Sequence, residues 1–257
     1  MKNRITALFE SKKENILSIY MTAGYPLLED TLSVVKELDR AGVDMIEIGF
    51  PFSDPLADGP VIQQSSEIAI ANGMSLKVLF EQLKELRTLT QLPVLLMGYL
   101  NPVLQFGAEE FIAKCAEVGI DGIIIPDMPF GYFESNLQQS CKDKGVSNIL
   151  LLTPQTEIKR IREIDHHATG FIYMVSSNSV TGGTNTNQLN TTYLERTQKL
   201  QLKNPLLTGF GIHDALSFKS AAQFSRGCII GSAFVKHLTE NGITSVGISQ
   251  FIKEFRP

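Results

Sequence analysis

Eight short runs rich in Ile, Val and Leu punctuate the chain, at residues 15–22, 43–49, 93–98, 121–126, 146–153, 170–176, 205–209 and 227–230. Each reads as a β-strand, and between them lie stretches with apolar residues at helical spacing, at 31–41, 78–89, 109–118, 134–144, 157–166, 193–200 and 214–224. Strand followed by helix, repeated, requires a parallel sheet, because every crossover must return the chain to the same end. Eight such units in 257 residues close most naturally into one (β/α)8 barrel of the TIM type, an α/β fold that typically runs to ~250 residues, rather than an open doubly wound sheet.

The unit repeats visibly. Ala41-Gly42-Val43-Asp44 and Val118-Gly119-Ile120-Asp121 each put a helix-ending glycine immediately before a strand. Ahead of the first strand, residues 2–11 carry Ile5, Leu8 and Phe9 at helical spacing and predict an extra N-terminal helix plugging the bottom of the barrel. No linker, low-complexity segment or change of composition divides the chain, so residues 1–257 read as a single domain. The longest polar stretch, 176–190, follows the sixth strand and reads as a loop.

A formal charge of −4, with no cluster of Lys or Arg longer than a pair, argues against nucleic acid or an anionic membrane as a partner. Cys115, Cys141 and Cys228 are odd in number and widely spaced, which suggests reduced core residues rather than a disulfide framework or a metal site. The first residues are charged, and no run approaches ~18 apolar residues, so a cytoplasmic location is expected.

Against this apolar background Glu47 is out of place. It lies among Met45, Ile46 and Ile48 in a strand covered on both faces, where an ionised carboxylate costs several kcal/mol unless something uses it. In barrels, chemistry sits at the C-terminal strand ends and the loops after them, which favours a catalytic Glu47 over a core acid paired with Lys, Arg or a tyrosine hydroxyl. The loop that follows, Phe50-Pro51-Phe52-Ser53-Asp54-Pro55-Leu56-Ala57-Asp58-Gly59-Pro60, holds two further acids. Ser-Asp-Pro and Asp-Gly-Pro are ordinary turn chemistry, yet so many prolines leave the loop few shapes, which suits a segment that brings a carboxylate to one place.

Glycine-rich segments fall at the ends of the sixth, seventh and eighth strands: Val180-Thr181-Gly182-Gly183, Gly209-Phe210-Gly211 and Gly231-Ser232. Backbone N–H groups unobstructed by side chains, with the N-terminus of a short helix begun at Gly231-Ser232-Ala233, make an anion site that needs no Lys or Arg. A substrate phosphate is the natural occupant. Phe210 is either a pocket wall or packing at the top of the barrel.

These residues together resemble the tryptophan synthase alpha subunit family over essentially the whole chain. The segment 47–60 is the most specific match, supported by 97–107, Pro126-Asp127-Met128-Pro129, Val180-Thr181-Gly182, Gly209-Phe210-Gly211 and Gly231-Ser232-Ala233. The resemblance implies retro-aldol cleavage of indole-3-glycerol phosphate to indole and glyceraldehyde 3-phosphate, with no metal or cofactor in this subunit. It implies Glu47 as acid and base and Asp58 as the group holding the indole N–H. It implies an indole pocket and lid from Tyr20, Tyr173, Thr181 and Phe210, and phosphate held by Gly182, Gly211, Gly231 and Ser232. A beta subunit carrying pyridoxal phosphate is implied as partner in an alpha2-beta2 heterotetramer, touched by Pro51, Asp54, Asn101 and Pro102. The chain departs from the family pattern at Ser177-Asn178-Ser179, where the family usually has a glycine before Val-Thr-Gly and often an arginine two residues earlier. Two other readings share these residues: a weakly active subunit that serves as an allosteric partner, and a self-sufficient lyase.

Overall fold

The computed structural model describes residues 3–176 and 190–256. Nine strands run parallel: β1 (Ile16–Thr22), β2 (Met45–Gly49), β3 (Val94–Met97), β4 (Gly122–Ile124), β5 (Ser147–Asn148), β6 (Leu150–Leu152), β7 (Ile172–Val175), β8 (Leu206–Gly209) and β9 (Gly227–Ile230). Their order is β5-β4-β3-β2-β1-β9-β8-β7-β6. The fifth run of the sequence is therefore two strands rather than one. Asn148 pairs with Ile123 of β4, Leu150 pairs with Ile172 of β7, and the strand changes partner at Ile149. The two ends of the strand order are thus consecutive pieces of chain, and the ring closes through Ile149 as a barrel with eight strand positions.

Every residue of β1 and β2 is buried, as parallel strands lined inside and covered outside by helices should be. The bottom of the barrel is closed as the N-terminal pattern predicts. Helix Arg4–Ser11 is capped by the Asn3 side chain, which accepts the Ile5 N–H, and Ile5 itself is fully buried. A methyl at Gly122 or Gly170 would sit 3.1 or 3.2 Å from Ile5, so two strand-border glycines make room for the plug.

The repeated Gly-Val/Ile-Asp junction has a structural basis. Gly42 and Gly119 take φ of 81° and 82°, which only glycine adopts without strain. The aspartate that follows each reaches back to the strand before it: Asp44 Oδ2 accepts the Leu17 N–H at 2.8 Å and Asp121 Oδ2 the Val94 N–H at 2.9 Å. Each is balanced by two cations, Lys12 and Arg256 on Asp44, Arg4 and Arg87 on Asp121.

Helix boundaries differ more. The 78–89 pattern resolves into Leu76–Gln82, a 3-10 turn and Leu86–Leu89, and the 134–144 pattern into Phe130–Asn136 and Gln138–Lys144. Helices Pro60–Ala71 and Leu100–Phe106 follow the β2 and β3 loops and carry the two walls of the loop acid described below.

Candidate active site

Glu47 is fully buried on β2, and in the parallel register it stands beside Tyr20 of β1. Its Oε1 accepts the hydroxyl of Ser18 at 2.8 Å, while Oε2 is buried with no hydrogen-bond partner. No cation pairs with it among the described residues, which removes the reading as a core acid neutralised by Lys or Arg. Burial raises its pKa to about 8, the Ser18 hydrogen bond opposing the rise. Near neutral pH it therefore exists largely as the carboxylic acid, with its second oxygen uncommitted.

Asp58 reaches the same region from the β2 loop. Gly59 forms the N-cap of helix Pro60–Ala71 and Pro60 occupies its first turn, which fixes the loop's exit. Gln63 Nε2 donates to the Asp58 carbonyl at 2.9 Å, binding the loop to that helix. From the other side Tyr99, at the end of β3, donates its hydroxyl to Asp58 Oδ2 at 3.1 Å and accepts the Ala57 N–H at 3.0 Å. Burial raises the Asp58 pKa to about 6, with the Tyr99 hydrogen bond opposing. Asp58, Tyr20, Tyr99, Phe50 and Phe52 line one pocket. Burial, reinforced by the Asp58 charge, pushes the Tyr20 hydroxyl far up, and burial does the same to Tyr173, with Glu47 the next contributor. Both tyrosines are therefore neutral, and Tyr20 lines the pocket.

The two rings need glycines beside them. A methyl on Gly49 would stand 2.0 Å from the Tyr20 hydroxyl, and one on Gly209 would stand 2.1 Å from that of Tyr173. The geometry is the same twice: Thr22 pairs with Gly49 and Val175 with Gly209, so each tyrosine lies two residues below its glycine's partner and leans across it. Gly98 serves the Phe50 ring in the same way, with only 2.2 Å available. Phe210 takes a positive φ of 67° and meets Tyr173 edge to face, ring centroids 6.1 Å apart, packing half-buried against the core. Ser176, fully buried, donates its hydroxyl to the carbonyls of Gly209 and Phe210 and holds that turn.

Among the glycines expected at a phosphate, Gly211 takes φ of 73°, and among the described residues an added methyl would meet only Ser176 Oγ, at 4.0 Å. Gly231 caps helix Ser232–Asn241 without a side chain to accept from its first-turn N–H groups. A methyl at Gly231 would make only ordinary contacts among the described residues, 3.6 Å from Tyr20 and Ile62, so no clash demands the glycine. Thr181, Gly182 and the Ser177-Asn178-Ser179 departure lie outside the described residues. Of the four residues expected at a partner surface, Asp54 and Asn101 are exposed and Pro51 and Pro102 half-buried. Leu56, two residues after Asp54 in the same loop, is 87% exposed.

Ser18, Tyr99, Gly49 and Gly98 are the site residues not singled out from sequence. Ser18 shares its strand with two other hydroxyl-bearing residues, Tyr20 and Thr22, so nothing local marked it out.

A family model described as tryptophan synthase alpha chain matches residues 6–253. The tryptophan synthase alpha chain of Flavobacterium psychrophilum is 52% identical over 253 residues, 98% of this chain and 99% of that one. That of Christiangramia forsetii is 51% identical over 255 residues, 99% of this chain and 98% of that one. The crystal structure of tryptophan synthase subunit alpha from Legionella pneumophila superposes with a TM-score of 0.86 at 31% identity, covering 99% of each chain.

Proposed function

Because this chain belongs to the tryptophan synthase alpha chain family, we propose that Glu47 and Asp58 perform the cleavage that defines it. The family reaction splits indole-3-glycerol phosphate into indole and glyceraldehyde 3-phosphate. No cofactor is needed in this subunit; the indole passes to a beta subunit, which holds pyridoxal phosphate.

The single observation that carries the assignment is Glu47, fully buried on β2 with no counter-ion among the described residues and with one oxygen free. Glu47 delivers its proton to indole C3, which creates a cationic indolenine. The resulting carboxylate then takes the proton of the adjacent side-chain hydroxyl. As that oxygen becomes the aldehyde, the carbon–carbon bond breaks and its electron pair returns to the ring, restoring neutral indole and the carboxylic acid. Asp58 accepts the indole N–H and stabilises the cation, a role that requires it ionised while Glu47 is protonated. Burial raises both carboxyls but Glu47 the further, to about 8 against about 6 for Asp58, and that difference sets up the division.

Tyr20, Tyr173 and Phe210 hold the indole ring, and Gly211, Gly231 and Ser232 hold the phosphate, joined in this reading by Thr181 and Gly182. Pro51, Asp54, Asn101 and Pro102 form part of the beta-facing surface. The whole chain acts as one barrel domain. No helix among the described residues is long and apolar enough to cross a membrane, and the work of a biosynthetic lyase is placed in the cytoplasm.

An indolylalkyl phosphate lacking the side-chain hydroxyl tests the two-ended pocket, because it binds but cannot react. Its affinity should be unchanged in Glu47→Gln and weakened about tenfold or more in Asp58→Asn and in Ser232→Asp. Unchanged binding in both of the latter variants would remove the proposed orientation.

A further inference from the structure

We propose that Ser18 is a positioning residue for the lyase reaction, its hydroxyl holding Oε1 of Glu47 so that the working proton is carried and returned at Oε2. The proposal rests on the reading of Glu47 as acid and base. Ser18 is fully buried on β1, a strand with no exposed residue, and its Oγ lies 2.8 Å from Glu47 Oε1. Strand parity puts Ser18 and Tyr20 on one face of β1, and Tyr20 stands in register with Glu47. The acid is thus flanked by a ring at its own level and gripped by a hydroxyl from one step below.

A buried hydroxyl is costly unless bonded, and this one has a single proton to donate. With that proton given to Oε1, the Glu47 carboxyl can be protonated at Oε2 without breaking the bond: Oε1 is then the carbonyl oxygen, which accepts as before. Protonation at Oε1 would compete with the donated hydrogen. One oxygen is therefore anchored in both protonation states, and the other, buried and unpartnered, is the one presented to substrate. Without the anchor the carboxyl turns about its terminal torsion, which is broad and roughly two-fold, and the oxygens exchange roles.

The anchor also sets which form the site favours. A hydroxyl donor stabilises the carboxylate more than the acid, so it draws Glu47 down against burial. Among the described residues the other titratable groups coupled to Glu47 are Tyr20 on β1 and Tyr173 on β7, and Asp58 on the β2 loop acts on the same two tyrosines. The tyrosines stay neutral, and Asp58 ionises at lower pH, so loss of Ser18 should be felt on the alkaline limb alone.

The test uses the alpha–beta complex with Ser18→Ala, Ser18→Thr, the near-isosteric Ser18→Cys and Glu47→Gln, followed by kcat for indole release across pH and by affinity for the unreactive indolylalkyl phosphate. Ser18→Ala and Ser18→Cys should lower kcat about tenfold, leave analogue binding within about twofold, and move the alkaline limb to higher pH; Ser18→Thr should restore both. If Glu47→Gln is inactive while Ser18→Ala and Ser18→Cys keep the wild-type kcat and pH profile, the role of Ser18 is wrong and that of Glu47 stands. If Glu47→Gln retains near wild-type turnover, the underlying reading fails instead. Should Ser18→Ala fail to fold, Ser18→Cys, which keeps the volume, decides.

Discussion

Tyr99 donates to Asp58 Oδ2 at 3.1 Å and accepts the Ala57 N–H at 3.0 Å, so one hydroxyl from the end of β3 ties down both the loop acid and the backbone beside it. The Phe52 ring, 5.3 Å from that of Tyr99, adds a second attachment between the same loop and the same residue. Tyr99→Phe removes the donor and keeps the ring. Since the donor favours ionised Asp58, its loss should raise that pKa above about 6. Turnover at pH 6 to 7 should fall several-fold, on the order of one lost hydrogen bond to a charged group, with the acid limb displaced to higher pH. A pH series of indole release measures both.

Wild-type turnover should follow a bell. Asp58 must be ionised, so activity is lost as pH falls through about 6, and Glu47 must begin protonated, so activity is lost as pH rises through about 8. The maximum belongs between them. A profile that climbs steadily to pH 9 would contradict the acid role of Glu47.

The same acid weighs on stability. Burial raises Glu47 from 4.5 to about 8, so between those values the native protein holds a proton the unfolded chain has lost. Stability from this group is greatest below 4.5 and declines as pH rises to about 8. Glu47→Gln abolishes the dependence. Urea unfolding should show the variant gaining on wild type from pH 5 to pH 8, by about 1 to 4 kcal/mol at ~1.4 kcal/mol per pH unit.

Gly49 and Gly209 are required by rings rather than by turns. Gly49→Ala and Gly209→Ala should each destabilise by about 1 to 3 kcal/mol, the cost of overpacking a filled site, and impair indole-end binding. In a double-mutant cycle Gly209→Ala with Tyr173→Ala should cost less than the sum of the two, because the clash at 2.1 Å disappears with the ring.

Much of this architecture was legible in the residues because parallel barrel strands, buried on both faces, read as continuous apolar runs. The change of partner at Ile149 was not, since it resides in backbone pairing and no side chain marks it. Helix Pro60–Ala71 was missed because Gln63, Gln64, Ser65 and Ser66 interrupt its apolar period. Glu47 stood out by its cost in an apolar strand. Tyr99 and Ser18 did not, because their value lies in contacts made across 41 and 29 residues of sequence. Gly49 and Gly98 read as strand ends, and only the Tyr20 and Phe50 rings above them reveal a steric demand.

The central claim is that the Glu47 carboxyl moves both protons of the cleavage. Indole release from indole-3-glycerol phosphate by Glu47→Gln, paired with the beta subunit and shown to be folded, tests it most directly. Gln keeps the shape and can accept a hydrogen bond from Ser18, but it can neither give nor take a proton. A fall in kcat of about 10²-fold or more, with binding of the unreactive indolylalkyl phosphate retained, is the predicted result. Turnover within a few-fold of wild type would contradict the account.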